Sequence, residues 1–361
     1  MSDFFAGKRV VVTGGSGFLG SFLVDALGQR SQAQILVPRK RAYDLTHRKA
    51  VAQMFADTRP DILFHLAAAV GGIGANRANP GRFFYENMAM GLHLLEEARH
   101  YGRLEKLILV GTTCSYPKFA PTPFRETDFW NGYPEETNAP YGIAKKALLV
   151  MAQAYRTQYG LRSIYLIPAN LYGPRDNFDL ETSHVIPALI RKFVEAIERA
   201  SPAVTVWGTG QASREFLYVE DAAEGLVQAA EQYEGPEPVN LATGMEIQIR
   251  DLVSLIREQI GYEGDVVWDS SKPDGQPRRC LDTQAALRAF GFRARTDLAT
   301  GLCKTISWFR QQRNWPPSTT AVREDSVRPG IAGGNPSEGF VPRTVQADRA
   351  GELQRKTQQS Y

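Results

Sequence analysis

Residues 10–20 read Val-Val-Val-Thr-Gly-Gly-Ser-Gly-Phe-Leu-Gly. The three valines predict a short apolar strand, the glycines predict a tight turn, and the spacing from Phe18 to Gly28 predicts a helix. Such a turn brings the backbone close to a pyrophosphate, and the helix N-terminus offers free N–H groups and a partial positive charge. The stretch therefore predicts a dinucleotide site rather than an ordinary strand–helix turn. Its expected cofactor contacts are Gly14, Gly15, Ser16, Gly17, Phe18, Leu19 and Gly20.

Residues 37–41, at the end of the predicted second strand, indicate which dinucleotide binds. An NAD site is expected to carry Asp or Glu in this region to bind the ribose 2′-hydroxyl, whereas this chain reads Val-Pro-Arg-Lys-Arg. Arg39 suits a 2′-phosphate and favours NADP(H), although a solvated basic turn is the alternative. Asp44 and Leu45 are expected near the adenine. Ala67 follows the third predicted strand, where small residues let the backbone pass close to the cofactor.

Short apolar strands alternate with longer amphipathic helices through the first 170 residues. This alternation predicts an α/β Rossmann-type fold with a doubly wound parallel sheet, whose ligands bind at the carboxyl ends of the strands. The five strands are predicted at residues 10–12, 34–37, 61–66, 104–110 and 163–167.

The alternation loosens after residue 170, which predicts three regions. Residues 1–170 are expected to form the NADP-binding Rossmann domain, with some later segments returning to it. Residues 171–315 are expected to form a smaller C-terminal cap domain that binds the substrate. Residues 316–361 contain few large apolar side chains, which predicts a disordered tail. A tail that docks on a partner subunit is the alternative.

The composition narrows the classes of partner. The chain has 361 residues with 42 basic and 39 acidic side chains, and its net charge of +3 does not point to nucleic acid or an anionic membrane. No apolar run reaches the roughly 18 residues that span a bilayer. Three cysteines without a CxxC pattern suggest a reducing, cytoplasmic setting and no thiolate zinc site. No spacing of His or acidic residues suggests another metal.

Tyr141 and Lys145 form a YxxxK pattern on a predicted helix over residues 141–159. Residues four apart share a helix face, so the phenol and the ammonium are expected to be neighbours. We expect the cation to lower the pKa of Tyr141 toward the working range of an acid or base.

Residues 111–115, Gly-Thr-Thr-Cys-Ser, follow the fourth predicted strand. If strand alternation continues, Thr112 and Cys114 point to the same side, where the Thr112 hydroxyl could orient the substrate oxygen and Tyr141. A small buried hydrophobic role is the alternative for Cys114. His65 lies within an apolar strand and is expected to be structural.

These motifs resemble the extended short-chain dehydrogenase/reductase family. Within it, six longer stretches resemble the GDP-L-fucose synthases, and the resemblance runs from about residue 8 to 313. The stretches are residues 69–76 (AVGGIGAN), 114–118 (CSYPK), 134–141 (PEETNAPY), 170–178 (NLYGPRDNF), 183–189 (SHVIPAL) and 271–275 (SKPDG).

The resemblance implies roles for individual residues. Tyr141 is the acid for ketone reduction, Lys145 holds the nicotinamide ribose and tunes Tyr141, and Thr112 is the third member of the triad. Cys114 and His184 are the acid/base pair for epimerisation. The resemblance also places Lys145, Pro168 and His184 at the cofactor.

The resemblance implies five contacts with the nucleotide sugar: Asn170, Lys192, Trp207, Arg214 and Lys272. The chain departs from the family at two positions. Thr112 stands where Ser is usual and keeps the hydroxyl. Lys192 stands where Arg is common, which weakens bidentate phosphate binding.

The implied reaction converts GDP-4-dehydro-6-deoxy-D-mannose to GDP-L-fucose by C3/C5 epimerisation and NADPH-dependent reduction of the C4 ketone, in a homodimer. A related GDP-keto-heptose epimerase/reductase is the nearest alternative. A nucleotide-sugar 4-epimerase or 4,6-dehydratase is another, although dehydratases usually carry Asp-Glu where this chain has Thr113-Cys114. A nonenzymatic NADP-sensing regulator would typically lack Tyr141 or Lys145, and both are present.

Overall fold

The computed structural model describes residues 4–30, 32–272 and 274–314. The strands are β1 (Arg9–Thr13), β2 (Gln34–Leu36), β3 (Ile62–His65), β4 (Lys106–Val110), β5 (Ser163–Pro168), β6 (Asn170–Tyr172), β7 (Ala203–Trp207), β8 (Ser213–Tyr218), β9 (Pro238–Leu241), β10 (Glu246–Gln248), β11 (Asp265–Asp269) and β12 (Arg278–Arg279). The helices are α1 (Phe18–Arg30), α2 (Arg48–Thr58), α3 (Ile73–Ala78), α4 (Pro80–Tyr101), α5 (Ala139–Tyr159), α6 (Val185–Glu198), α7 (Val219–Gln232), α8 (Ile249–Ile260), α9 (Gln284–Phe290) and α10 (Leu298–Asn314).

A six-stranded parallel sheet has the order β2-β1-β3-β4-β5-β9. The chain moves from β1 to β2 on one side and then crosses to β3 on the other side. This reversal opens a crevice at the carboxyl end of β1, where open parallel sheets bind their ligands. The predicted doubly wound sheet is confirmed.

The helices of the sheet form two groups. Helices α2, α4 and α5 pack in sequence against one another, while α1 packs against α7. Right-handed crossovers that run in opposite directions from β1 place their helices on opposite faces of the sheet. Strands covered on both faces are apolar along their whole length, and the side chains of Val10, Val11 and Val12 are accordingly buried.

A second hydrophobic core is built entirely from residues after 171. Its most deeply buried members include Ile190, Phe193, Leu252, Ile256 and Leu302. Helices α6, α8 and α10 pack together there. Strand β8 pairs with β6, β10 and β12, while β7 pairs with β11.

Most predicted elements occur within a few residues of their expected bounds, but the sixth strand of the sheet was not predicted. Strand β9 reads Pro-Val-Asn-Leu, which is too short to show a period, and it pairs with β5 some 70 residues earlier in the chain. The predicted tail, residues 316–361, lies outside the described residues. In the described part of the chain, no helix is both long and apolar enough to cross a membrane.

Candidate active site

The glycine-rich turn lies between β1 and α1, against the segment that follows β3. Gly14 has φ +73°, and a Cβ there would lie 2.7 Å from the backbone nitrogen of Ala67. The Gly17 N–H donates to the Gly14 carbonyl at 2.9 Å, and α1 begins at Phe18. The turn thus presents bare backbone and a helix N-terminus at the crevice of the sheet, which fits a pyrophosphate.

The end of β2 lies beside this turn. A Cβ at Gly15 would lie 2.9 Å from a methyl group of Val37, and Arg39 is exposed two residues later. Asp44 accepts hydrogen bonds from the Thr46 hydroxyl at 2.7 Å and from its N–H at 3.0 Å, and these bonds lower the pKa of Asp44. Leu45 is buried. Arg39 is therefore accessible to a ligand, whereas the Asp44 carboxylate is already engaged.

Helix α5 carries Tyr141 and Lys145, and both side chains are buried. The hydroxyls of Tyr141 and Thr112 form a hydrogen bond. A Cβ at Gly142 would overlap the Cys114 carbonyl oxygen, and the Ser115 hydroxyl donates to the Gly142 carbonyl at 2.8 Å. The first turn of α5 is thus pressed directly against residues 112–115.

The pKa of Tyr141 is raised, which is the opposite of the expected direction. Burial is the largest cause, negative charge on Cys114 raises it further, and the hydrogen bond with Thr112 lowers it less. Burial also lowers the pKa of Lys145 to about 8. Desolvation therefore outweighs the effect expected from the neighbouring cation. The Tyr141 phenol stays protonated at neutral pH, which suits a proton donor.

Cys114 lies in a 3-10 turn, Thr113–Ser115, which Gly111 and Thr112 separate from β4. The expected strand alternation therefore ends before Thr113, and the Cys114 N–H donates to the Thr112 hydroxyl at 3.2 Å. Cys114 is half-buried, and its thiol lies 3.8 Å from Nη1 of Arg279. The turn nevertheless brings Thr112 and Cys114 to the same phenol, that of Tyr141.

Arg214 lies on β8, in register with Arg279 on β12. Its Nη2 donates to the Asp274 carbonyl at 3.0 Å. Burial, followed by the charge of Arg279, lowers the pKa of Arg214 to about 10, while Asp274 and Cys114 are among the groups that raise it. Two guanidinium groups thus lie near the thiol of Cys114.

His184 immediately precedes α6. Its loop is tied to the segment after β3, because the Gly72 N–H donates to the Thr182 carbonyl at 3.2 Å. The imidazole is exposed to solvent, although surrounding protein atoms desolvate it and lower its pKa. This environment is typical of a side chain that lines a crevice, where an imidazole can exchange protons with a ligand.

Two of the predicted nucleotide contacts, Lys192 and Lys272, lie beside a third, the indole of Trp207. Trp207 is 60% exposed, and the ammonium groups of Lys192 and Lys272 lie 5.7 and 5.4 Å from its ring centroid. Lys192 also donates to the Thr205 carbonyl at 2.9 Å. An exposed aromatic face flanked by two cations suits a flat base with attached phosphates.

Pro168, predicted at the cofactor, and Asn170, predicted at the nucleotide sugar, lie where the chain leaves the central sheet. Pro168 ends β5 and pairs with Leu241 on β9. Asn170 donates from Nδ2 to the Glu215 carbonyl at 2.9 Å, so its amide is anchored to β8.

Sequence reasoning missed Arg279 and Asp176. Arg279 follows the motif at residues 271–275 closely, but no local pattern connects it with Cys114. Asp176 lies within the stretch at residues 170–178, and its Oδ2 is buried without a hydrogen-bond partner in the described structure. Burial raises the pKa of Asp176 to about 7. His65 accords with a structural role, since it is buried and its Nδ1 lies 2.9 Å from the Thr13 hydroxyl.

The chain is similar to a known protein family and to curated proteins over most of its length. The model of the NAD dependent epimerase/dehydratase family matches residues 10–242. A GDP-L-fucose synthase of Sinorhizobium fredii is 40% identical over 303 residues, which cover 84% of this chain and 96% of that protein.

Two solved structures are similar over most of the chain. A GDP-L-fucose synthetase from Naegleria fowleri bound to NADP has a TM-score of 0.78 at 26% identity, covering 87% of this chain and 97% of that one. A GDP-6-OMe-4-keto-L-xylo-heptose reductase from C. jejuni has a TM-score of 0.80 at 25% identity, covering 86% and 99%.

Proposed function

The chain belongs to the NAD dependent epimerase/dehydratase family, and from this premise we propose that it acts as an NADP-dependent GDP-L-fucose synthase. It converts GDP-4-dehydro-6-deoxy-D-mannose to GDP-L-fucose by epimerisation at C3 and C5 and reduction of the C4 ketone. The observation that carries this proposal is that Thr112 and Cys114 both lie beside the phenol of Tyr141. That group combines a proton donor for C4 with a thiol suited to proton transfer at carbon.

Reduction of C4 needs a proton for the oxygen as the carbon receives hydride, which NADPH supplies when bound. Tyr141 is the proton donor, because its raised pKa keeps the phenol protonated. Thr112 shares the hydrogen bond and donates to the same ketone oxygen. Such donors stabilise the charge that develops on the oxygen in the transition state. Lys145 holds the nicotinamide ribose from the next turn of α5.

Epimerisation exploits the acidity of the carbons on either side of the C4 ketone. Removal of a proton from C3 or C5 leaves its electron pair delocalised onto the C4 oxygen, where Thr112 and Tyr141 can stabilise it. Cys114 and His184 remove and return protons from opposite faces of the sugar. A thiol and an imidazole have reference pKa values of about 8.5 and 6.5, which suit proton transfer near neutral pH.

Residues 171–315 bind the nucleotide, while residues 1–170 bind the cofactor. Trp207, Lys192 and Lys272 provide an aromatic face and two cations. Asp274 links the segment that follows Trp207 to Arg214, because its carboxylate accepts from the Thr209 N–H at 2.7 Å while its carbonyl accepts from Arg214. Arg214 in turn interacts electrostatically with Cys114.

Incubation with GDP-4-dehydro-6-deoxy-D-mannose and NADPH in D₂O tests this function. The expected product is GDP-L-fucose with deuterium at C3 and C5, identified by NMR. A product reduced at C4 without exchange, or an unconsumed substrate, would contradict the proposal.

A 4-keto-heptose substrate is the second candidate, favoured by the likeness to the C. jejuni heptose reductase. Measuring kcat/KM for the 4-keto-6-deoxy-hexose and for a GDP-4-keto-heptose separates the two. We expect the hexose to be preferred, and a preference for the heptose would reassign the substrate.

Arg39 provides a test of the cofactor. Arg39→Ala should raise KM for NADPH by about tenfold or more, because a charge-assisted bond to the 2′-phosphate is lost. KM for NADH should change little, since NADH has no such phosphate. Steady-state kinetics with both cofactors measures this, with Lys49→Ala on α2 as the control for loss of an exposed cation. Equal effects on the KM values of both cofactors would show that Arg39 does not bind the 2′-phosphate of NADPH.

Helices α4 and α5 form the contact of a homodimer. They pack against each other, and exposed apolar side chains remain on both: Leu92 and Phe84 on α4 and Val150 on α5. A second copy of the helix pair would cover this surface, and two-fold symmetry is the commonest closed arrangement.

Leu92→Glu combined with Val150→Glu should convert the dimer to a monomer, because each carboxylate would be buried unpaired at the contact. Light scattering after size-exclusion chromatography measures the mass. Val267→Glu, at an exposed apolar position on β11, is the matched control and should leave the dimer intact. A monomeric unmodified chain, or a dimer that survives the double substitution, would contradict this interface.

The enzyme acts in the cytoplasm. Cys114, Cys280 and Cys303 are unpaired, and the proposed chemistry needs Cys114 as a free thiol. A reducing compartment keeps thiols in this form.

A further inference from the structure

Arg279 makes a contact that the proposed mechanism does not yet use. Its Nη1 lies 3.8 Å from Sγ of Cys114, although 165 residues separate the two in the chain. Strand β12 brings it there, because Arg279 pairs in register with Arg214 on β8. Arg279 is partly buried, so its guanidinium is not simply a solvated surface group.

A second set of hydrogen bonds orients the guanidinium. Nε and Nη2 of Arg279 donate to Oε1 of Gln276 at 3.3 and 3.1 Å. Gln276 is buried, and its Nε2 donates to the Lys118 carbonyl at 2.7 Å. Lys118 is four residues after Cys114, so the segment that carries the thiol also anchors the residue that contacts it. This arrangement leaves Nη1 directed toward sulfur.

The charged and titratable groups near Cys114 come from three elements. Arg279 on β12 contacts the thiol, Arg214 on β8 interacts with it electrostatically, and Tyr141 on α5 does so as well. Tyr141 is neutral at working pH. Two cations on two neighbouring strands therefore act on the sulfur, and a cation in contact with sulfur stabilises negative charge on it.

We propose that Arg279 is a positioning residue that stabilises negative charge on the sulfur of Cys114, so that this sulfur can take a proton from the sugar. This proposal rests on the proposed epimerase function. In the step, the C–H bond at C3 or C5 breaks, an S–H bond forms, and the electron pair of the carbon delocalises onto the C4 oxygen. No electron is lost or gained, so no further reactant is needed.

The proposal is tested by the pH dependence of alkylation at Cys114. The full-length protein is treated with iodoacetamide between pH 5 and 10, and the Cys114 peptide is quantified by mass spectrometry to separate it from Cys280 and Cys303. In Arg279→Gln the midpoint should rise by about one pH unit or more, and alkylation at pH 7 should fall about tenfold. The plateau at high pH should stay the same, because access to the sulfur is unchanged.

Three further variants control for structure. Arg279→Lys keeps the charge and should recover most of the reactivity. Arg278→Gln removes the neighbouring cation, which pairs with Glu246 instead, and should leave the midpoint unchanged. Gln276→Met keeps Arg279 but removes its anchor, and should give a smaller shift in the same direction. Gln276→Met also provides the test if Arg279→Gln fails to fold by circular dichroism.

Exchange at C3 and C5 is then measured in the same variants. We expect Arg279→Gln to lower the rate of deuterium wash-in at pH 7 about tenfold. This rate should recover as the pH rises. An unchanged alkylation midpoint would overturn the proposal, as would a raised KM with normal exchange, which would indicate that Arg279 only binds the nucleotide phosphates. If the midpoint shifts while Cys114→Ser exchanges normally, the Arg279 contact stands and the epimerase role of Cys114 fails.

Discussion

Replacing Cys114 by serine is expected to lower deuterium wash-in at C3 and C5 by about 10²–10⁴-fold, the range typical of a lost general acid or base. Serine keeps the size of the side chain, but its hydroxyl ionises at far higher pH than a thiol and cannot act as a base near pH 7. The C4 ketone should still be reduced slowly, because Thr112, Tyr141 and Lys145 remain. The product would be a GDP-6-deoxy sugar with unaltered configuration at C3 and C5, identified by NMR.

Two companion variants sharpen this result. His184→Gln should permit proton removal but impair its return, which would appear as partial or stalled epimerisation. Cys303→Ser changes an exposed cysteine on α10 and should exchange normally. Normal exchange in Cys114→Ser would leave a simple ketoreductase and remove the basis for epimerisation at this site.

The second large effect is expected at Tyr141. Tyr141→Phe keeps the buried ring and removes the proton donor, so the rate of hydride transfer to C4 should fall by about 10²–10⁴-fold. Exchange at C3 and C5 should survive in part, because Cys114 and His184 are unchanged. Single-turnover loss of NADPH absorbance measures reduction, and deuterium wash-in measures exchange in the same sample.

Tyr155→Phe is the matched control for this experiment. Tyr155 also lies on α5, where its hydroxyl donates to Glu96 at 2.7 Å. Its loss should leave hydride transfer unchanged. If Tyr141→Phe reduced the ketone at the normal rate, another group would have to supply the proton.

The features that the sequence alone determined are local ones. The strand, turn and helix at residues 10–20 are predictable because glycine spacing and hydrophobic periodicity are properties of neighbouring residues. Tyr141 and Lys145 could be paired for the same reason, since residues four apart share a face of a helix. The resemblance to a family then allowed Cys114 and His184 to be named without knowing where they lie.

The environment of these side chains depends on contacts between distant segments of the chain. The pKa of Tyr141 rises because burial removes water from the phenol, and no pattern around residue 141 reveals which distant atoms exclude that water. Strand β9 completes the sheet, and Arg279 reaches Cys114, through pairing between segments far apart in the chain. Desolvation and long-range charge depend on positions in space, whereas the sequence records order along the chain. For that reason the sequence could name candidate residues for the site, whereas their burial and their distant partners follow from the fold.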